Sequence, residues 1–554
     1  MKYLFVLALP LLVVAQPIEI DTIGGTTYDW AANGPAWRMV NNDPAYGVHA
    51  VWMYSADPGS TWPDRSMRYN FYDNANSVWN FIDPTNYMNS GVNAFTARNG
   101  YGSLDVNPAN GCAYISGHRG VTGDMTPMVA RDAAPGTGIF DVCDGAPNAY
   151  GYQWPVFSMG PNEKIHVACL DMGSQDMLYY THVDPWCTWD VPTHIADVDP
   201  LFADHYIAAS KTSGKVLETW IGTAAVPYTY YYRYSSDGGE NWDPMVTLDP
   251  PLAYTPGSET IPSFHLAGNS ILWDNSDEYH LTVLVMSVVG GTGYVIPCEI
   301  WHYSPANTPQ WSKVVRASCD TLNLGGSVGY NVLFAGRPSL GIDANNNLFC
   351  VWEQFDSMNL EPATGKLRAV IMSSASNDNG QTWGDPIQLT PPVTPTDSVH
   401  SYRFPSIAHV VDNNLHIICE DDLMAGFFVQ NEGNSTSNPY LYLKVPKTLF
   451  PNISVAENPG PRIFSPRLSV APNPFENSTR VSYELHRAGS AALRIYDASG
   501  NLVKTLATGN LPAGKGSATW TGTNDKGSRV AGGIYFARLE TSDRILNQKI
   551  VLTR

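Results

Sequence analysis

The sequence predicts an all-β protein in two parts: a seven-bladed β-propeller, with six blades as the alternative, and a small C-terminal β-sandwich. Three observations carry this expectation. A hairpin-like unit recurs at steps of 51 to 69 residues, 47 Gly and 41 Pro accompany an aromatic content of 12%, and no apolar period of 3.6 is sustained after the first twenty residues. Short strands joined by turns account for that mixture, and long amphipathic helices do not.

The chain begins with Lys2, an apolar run over 3–14 and the small-residue site Val13-Val14-Ala15. This reads as a signal peptide over 1–15. The run is shorter than a membrane-spanning helix requires, and no later stretch is apolar enough to span. The mature chain is therefore expected outside the cytoplasm, with no transmembrane segment.

Residues 16–446 carry the repeat. Arg337-Pro-Ser-Leu-Gly-Ile-Asp343, an Asn-rich turn and Leu348-Phe-Cys-Val-Trp352-Glu353 make one strand-turn-strand unit, and Arg403 to Glu420 makes the next. Aligned on the first apolar residue of the second strand, the units start at Val48, Cys112, Ile165, Val216, Tyr279, Leu348 and Leu415. Seven units suggest seven blades, and the segment 18–30 is expected to supply a strand that closes the last one. A second marker fits S-x-D-x-G-x-x-W twice, at Ser235-Ser-Asp237-Gly-Gly239-Glu-Asn-Trp242 and Ser376-Asn-Asp378-Asn-Gly380-Gln-Thr-Trp383. In such a turn the Asp accepts backbone N–H groups, the Gly takes a positive φ and the Trp fills the space between sheets.

Five prolines between 446 and 466 mark a stiff linker over 447–465. Residues 466–554 then alternate as short strands. They hold 12 Lys and Arg against 6 Asp and Glu, so they carry +6 of a net −19, and the rest of the chain carries −25. An acidic body excludes nucleic acid and anionic membrane surfaces as natural partners. The eight cysteines are too few for a disulfide scaffold. Cys298 and Cys319 are expected as a pair, and Cys169 and Cys419 as buried apolar residues. No closely spaced Cys/His set is present, so no metal site is expected. The acidic loops 343–347 and 420–422 are where Ca²⁺ would bind, but neither forms a full binding loop.

The two S-x-D-x-G-x-x-W segments resemble the Asp-boxes of sialidase-like propellers over roughly residues 30–450. In that family the turn lies away from the active centre, so the resemblance implies the fold and not an activity. The sialidase enzymes have six blades. The tail resembles the C-terminal sorting domains of type IX secretion through Pro472-Asn473-Pro474-Phe475, Tyr496-Asp497-Ala-Ser-Gly500, Gly532-Gly533-Ile534-Tyr535 and a basic ending at Lys549 and Arg554. Its Trp520-Thr-Gly522-Thr-Asn-Asp525-Lys-Gly527 motif is similar to the Ig-like domain of flagellar hook-capping proteins. The resemblance implies an Ig-like fold over 466–554, the type IX machinery as a partner, and export to the surface of a Gram-negative-type bacterium.

Two functional readings follow. The first is a non-enzymatic surface propeller that binds glycan or protein ligands at its mouth, with no cofactor. The second is a secreted exo-α-sialidase-type glycoside hydrolase. It would use Arg38, Arg337 and Arg403 as a carboxylate clamp, since each stands near the start of a first strand and the guanidinium fork matches a carboxylate. The resemblance then requires a Tyr nucleophile, drawn from Tyr330 or Tyr402, with Glu353, Glu420 or Asp421 as acidic partners; no motif selects among them. His49, His166, His280 and His416 each follow their anchor by one residue. Equivalent positions in different blades radiate apart, so these are read as bonding between adjacent blades rather than as a metal ring.

Overall fold

The computed structural model describes residues 17–553, except 33, 121–124, 146–150, 172–176, 199–203, 224–225, 252–259, 320–324, 392–398, 454–466, 486–488, 512–513 and 542–544. The expected signal peptide lies outside the described residues, as does most of the expected linker. The chain divides into two compact units, residues 1–454 and 455–554.

Among the described residues seven sheets of four or five strands, antiparallel apart from a short parallel pairing of Ile342 and Asp343 with Val410 and Val411, make up the first unit, and each begins with its innermost strand. These first strands are Val40–Asp43, the broken pair Asn99–Gly100 and Leu104–Val106, Tyr152–Met159, His205–Ala209, Thr260–Trp273, Ala335–Asp343 and Ser401–Ile407. We number the blades 1 to 7 in that order. Each first strand packs on the next, and that of blade 7 on that of blade 1, so the sheets close into a ring. Serines clip successive first strands together: Ser103 Oγ accepts Phe157 N at 3.2 Å, Ser158 Oγ accepts Ala209 N at 3.0 Å and Ser339 Oγ accepts Ile407 N at 3.3 Å. Ser406 Oγ accepts Met39 N at 3.0 Å across the seam between blades 7 and 1. The seam is also laced from the N-terminus, because Glu19–Thr26 pairs with Asn438–Pro446 as the outermost strand of blade 7. A seven-bladed propeller is thus observed, its last blade completed by the segment expected to do so.

The sequence anchors fall at or next to the start of the second strand in all seven blades. Four residues further, Trp52, Ser116, Cys169, Trp220, Val283, Trp352 and Cys419 are all buried, as period-2 alternation requires of core-facing sites. The disulfide differs from expectation. Cys143 of blade 2 pairs with Cys187 of blade 3, while Cys298 lies buried against Ala335, whose N donates to its Sγ at 3.3 Å. Sequence spacing suggested Cys298 and Cys319, but the ring brings the outer parts of neighbouring blades together across 44 residues.

The second unit is a β-sandwich. One sheet orders Arg467–Ala471, Thr479–Leu485 and Gly514–Trp520, and the other orders Leu502–Leu511, Gly489–Asp497, Gly533–Thr541 and Ile545–Leu552. Val481, Leu493, Ile495, Trp520, Ala537, Leu539 and Ile550 fill the space between them.

Candidate functional site

The first strands of blades 3, 6 and 7 share a bulge. Their pairing with the second strand slips between Gln153 and Val156, between Gly336 and Ser339, and between Arg403 and Ser406. A proline sits inside each slip, at Pro155, Pro338 and Pro405, where its missing N–H costs no ladder bond. The residue before it takes a left-handed φ: +53° at Trp154, +50° at Arg337 and +51° at Phe404. Bulky side chains in that region are held by their surroundings, here at the rim where first strands begin.

The bulge register resolves the three expected clamp arginines. Arg403 is equivalent to Gly336, one position before the left-handed residue, and Arg337 is equivalent to Phe404. Arg38 falls one position later, because Met39 is equivalent to Ser406. Three successive repeat positions point three ways. The structure brings Arg337 and Arg403 together and keeps Arg38 apart. Arg337 pairs with Glu353 Oε1, and Arg403 Nε meets Glu353 Oε2 at 3.2 Å. Phe404 N also donates to Glu353 Oε2, at 3.0 Å. The two guanidiniums lie over Phe404 and Phe427 at 4.4 and 4.3 Å, and neither arginine is more than 1% exposed. Burial lowers Arg337 toward about 10, and burial would raise Glu353, but the two arginines overcome it and leave that carboxyl below its usual range. This triad is a buried ion cluster that holds blade 6 to blade 7; Arg337 Nε and Nη2 and Arg403 Nη1 have no hydrogen-bond partner among the described residues, and burial keeps both guanidiniums from a substrate in solution.

A carboxyl group surrounds it on the blade 7 side. Burial raises Asp29 to about 6 against the donated N–H groups of Phe428 and Val429, and burial with the nearby Asp29 raises Glu420 and Asp422 well above the carboxylate range. Asp421, also raised by burial, meets His400 Nδ1 at 2.7 Å. Tyr402 is buried, which pushes its hydroxyl upward, whereas Tyr330 is half exposed. Neither tyrosine is brought to Glu353: Tyr402 stands across the strands from Asp421, whose carboxyl is engaged by His400, and Tyr330 meets Glu432 through its backbone N. Among the described residues no three His, Cys, Asp or Glu side chains are arranged to hold a metal ion. The acidic 343–347 loop spends its carboxylate on Asn345 N, Asn347 N and Lys447 Nζ.

The S-x-D turns lie at the opposite rim and join blades. Ser235 Oγ and Asp237 Oδ1 accept Gly239 N and Asn241 N at 2.9 Å each, and Ser376 and Asp378 repeat the pattern toward Gly380 and Thr382. Trp242 packs edge-on to Tyr180 of blade 3 at 5.0 Å, and Trp383 to His302 of blade 5 at 5.6 Å. The recurring histidines complete this device. His49, His166 and His416 Nδ1 bond the hydroxyls of Tyr69, Tyr180 and Tyr442 at 2.8, 2.8 and 2.6 Å, and His280 bonds His302 at 2.8 Å. Each partner sits on the third strand of the same blade, and Tyr180 then donates to Gly238 O of blade 4 at 3.3 Å.

The open surface lies outside every motif and repeat marker of the sequence. Connections between second and third strands form a polar groove of about 440 Å³ over blades 6 and 7, lined by Thr364, Lys366, Met424, Asn431, Glu432 and Asn434. Lys366 and Glu432 pair across it at 2.6 Å. Glu432 Oε2 accepts Tyr330 N at 3.1 Å, so the Tyr330 backbone meets a residue of the groove, while its half-exposed ring lies 5.7 Å from Trp30. The one sequence signal was the length of the connection 423–437, which follows the second strand of blade 7. At the other end of the first strands, Arg38, Asp105, Lys211 and His409 line an axial cavity of about 20 Å³.

Residues 472–544 match the FlgD Ig-like domain family. No curated protein matches the chain. Among solved structures it is similar to a family PL25 polysaccharide lyase, an ulvan lyase, at TM-score 0.45 and 11% identity over 76% of this chain and 96% of that one. It is also similar to the NanB sialidase of Streptococcus pneumoniae, at TM-score 0.37 and 10% identity over 77% and 71% of the two chains. An α-L-arabinanase of Penicillium chrysogenum aligns at TM-score 0.38 and 12% identity over 62% and 94%.

Proposed function

We propose that the chain is an exported surface propeller that binds glycan in the groove over blades 6 and 7, with its C-terminal domain serving type IX secretion or surface attachment. One observation carries the binding reading: an open groove is edged by amide, hydroxyl and paired charged groups, and one of these, Glu432, is bonded by the backbone of the half-exposed Tyr330. A ring face packs on the C–H face of a sugar while neighbouring polar groups take its hydroxyls. The hydrolase reading has less support, because two of its three arginines are buried in the core against Glu353. The secretion reading rests on the tail motifs, and the Cys143–Cys187 bridge suits an oxidising compartment.

A glycan array with the mature chain tests the binding reading. Tyr330→Ala and Asn434→Ala should each cut binding at least about tenfold, the 1.4 kcal/mol of one stacked ring or hydrogen bond, while thermal stability is kept. Binding unchanged in both variants places the ligand elsewhere and sinks the assignment. A fluorogenic sialoside should show no turnover by the wild type. Removing residues 466–554 should leave the propeller in the periplasm, and normal surface display of the truncated chain contradicts the sorting role.

A further inference from the structure

The propeller axis holds a charge imbalance that the glycan reading does not use. The axial cavity is walled by first-strand residues of blades 2 to 5, with Arg38 entering from blade 1, Lys211 from blade 4 and His409 from blade 7. Its volume of about 20 Å³ admits one particle the size of a water molecule.

Its charges do not cancel. Arg38 and Lys211 are cationic, and Asp105 is the one acidic side chain in the lining. Asp105 is fully engaged: Oδ2 pairs with Lys211 and accepts Met159 N at 2.8 Å, while Oδ1 accepts Asn41 Nδ2 at 3.1 Å and Val106 N at 2.9 Å. Lys211 Nζ also donates to Met159 O at 2.9 Å. That pair is therefore closed on itself. Arg38 has no such partner; its Nη1 is buried and has no hydrogen-bond partner among the described residues. His409 adds neither sign, since burial, with Arg38 and Lys211 beside it, lowers it to about 3 and keeps the ring neutral. Tyr206, the other polar ring in the lining, is raised by burial and stays a neutral phenol that Arg38 contacts.

We propose that this cavity is a binding site for one small monovalent anion, chloride in a chloride medium, held by the Arg38 guanidinium next to the Lys211–Asp105 pair. A guanidinium with a spare N–H, a surplus of one positive charge and low-dielectric walls draw an anion rather than a neutral water. A space this tight favours a small anion over sulfate, phosphate or a carboxylate. The ion would tie blade 1 to blade 4 across the axis, and so act as a lock on the ring.

Thermal unfolding of the mature chain at fixed ionic strength tests this, with sodium chloride replacing sodium gluconate, an anion too large for the cavity. The melting temperature should rise by a few degrees and saturate as for a single site, and Arg38→Met should abolish the rise. Should that variant fail to fold, wild-type crystals soaked in bromide give a second readout: one anomalous peak between Arg38 and Lys211. Equal melting in the two salts overturns the proposal. So does the absence of a bromide peak at that position, whatever the salt does to stability. Because the groove lies at the other rim, either result leaves glycan binding by the wild type unchanged.

Discussion

Replacing Glu353 by Gln tests whether the Arg337–Glu353–Arg403 cluster is part of the core. The change keeps the side-chain shape and removes only the charge. In the wild type one buried carboxylate compensates two buried guanidiniums and accepts Phe404 N. Taking away one partner of a buried ion pair leaves charge without compensation and costs about 3–5 kcal/mol. At about 2.1 cal/mol/K per residue, a propeller of roughly 430 residues loses about 1 °C for each kcal/mol, so melting should fall by about 3–5 °C. Urea unfolding at pH 7, read by tryptophan fluorescence, is the more direct assay. The pH dependence gives a second check. Glu353 titrates below its ordinary range in the folded chain, so its contribution is complete above the unfolded value and is lost as pH falls through the folded one. The penalty of Glu353→Gln should therefore shrink in acid. A penalty under about 1 kcal/mol at pH 7, or one that grows toward acid, would refute the reasoning and return these arginines to candidacy as a clamp.

Asp29 has the opposite sign: its folded value stands near 6, so the folded state holds a proton that the unfolded chain has released, and stability should fall by up to about 3 kcal/mol as pH rises from 4 to 6. Urea midpoints across that window should show the decline in the wild type and much less of it in Asp29→Asn; equal slopes remove the assignment. Gly380→Ala would place a Cβ 2.2 Å from His302 Cε1 at a φ of +80°, and should destabilise by about 2 kcal/mol or more. Gly290→Ala meets nothing within 4 Å at a φ of +56° and should cost about 1 kcal/mol; denaturation of the pair that ranks them the other way contradicts the blade-packing account. Cys143→Ser opens a loop of 44 residues and should cost about 4 kcal/mol by chain entropy, measured against the wild type with and without reductant.

Much of the architecture was legible because propeller blades repeat their local chemistry. The anchor at Leu348 or Leu415 starts a second strand because apolar alternation has one solution in a sheet buried on both faces, and the S-x-D turn closes on its own residues from Ser235 to Trp242. The recurring histidines are expected from the sequence to bond between adjacent blades, whereas each bonds within its own blade, His49, His166 and His416 to a tyrosine and His280 to His302. What local pattern does not carry is the contact between blades. Cys143 and Cys187 meet through ring closure, and no spacing rule selects them over Cys298 and Cys319. The groove is likewise built from two loops 60 residues apart in sequence, at Thr364 and Met424, whose side chains carry no periodic signal.

The arginines show why a residue count of one matters. Arg38, Arg337 and Arg403 stand 10, 11 and 12 residues ahead of their anchors, a difference that sequence alignment alone does not interpret. In a strand each step reverses the face, and in a bulge it also turns the backbone, so Arg337 at the left-handed position and Arg403 one before it converge on Glu353, while Arg38, one step later, reaches the axial cavity. Position alone does not fix their charge state either. Glu353 and Glu420 each stand five residues past their anchors and are equally buried, yet Glu353 meets two arginines and stays ionised, whereas Glu420 accepts Asn438 Nδ2 at 2.8 Å, faces Asp29 and is driven toward its neutral form. Arg403 is paired directly across the strands from Glu420 and still turns its guanidinium to Glu353 on the neighbouring blade. The bulge at Phe404 accounts for that turn, since it redirects the chain between Arg403 and Ser406 just where the pair would otherwise form.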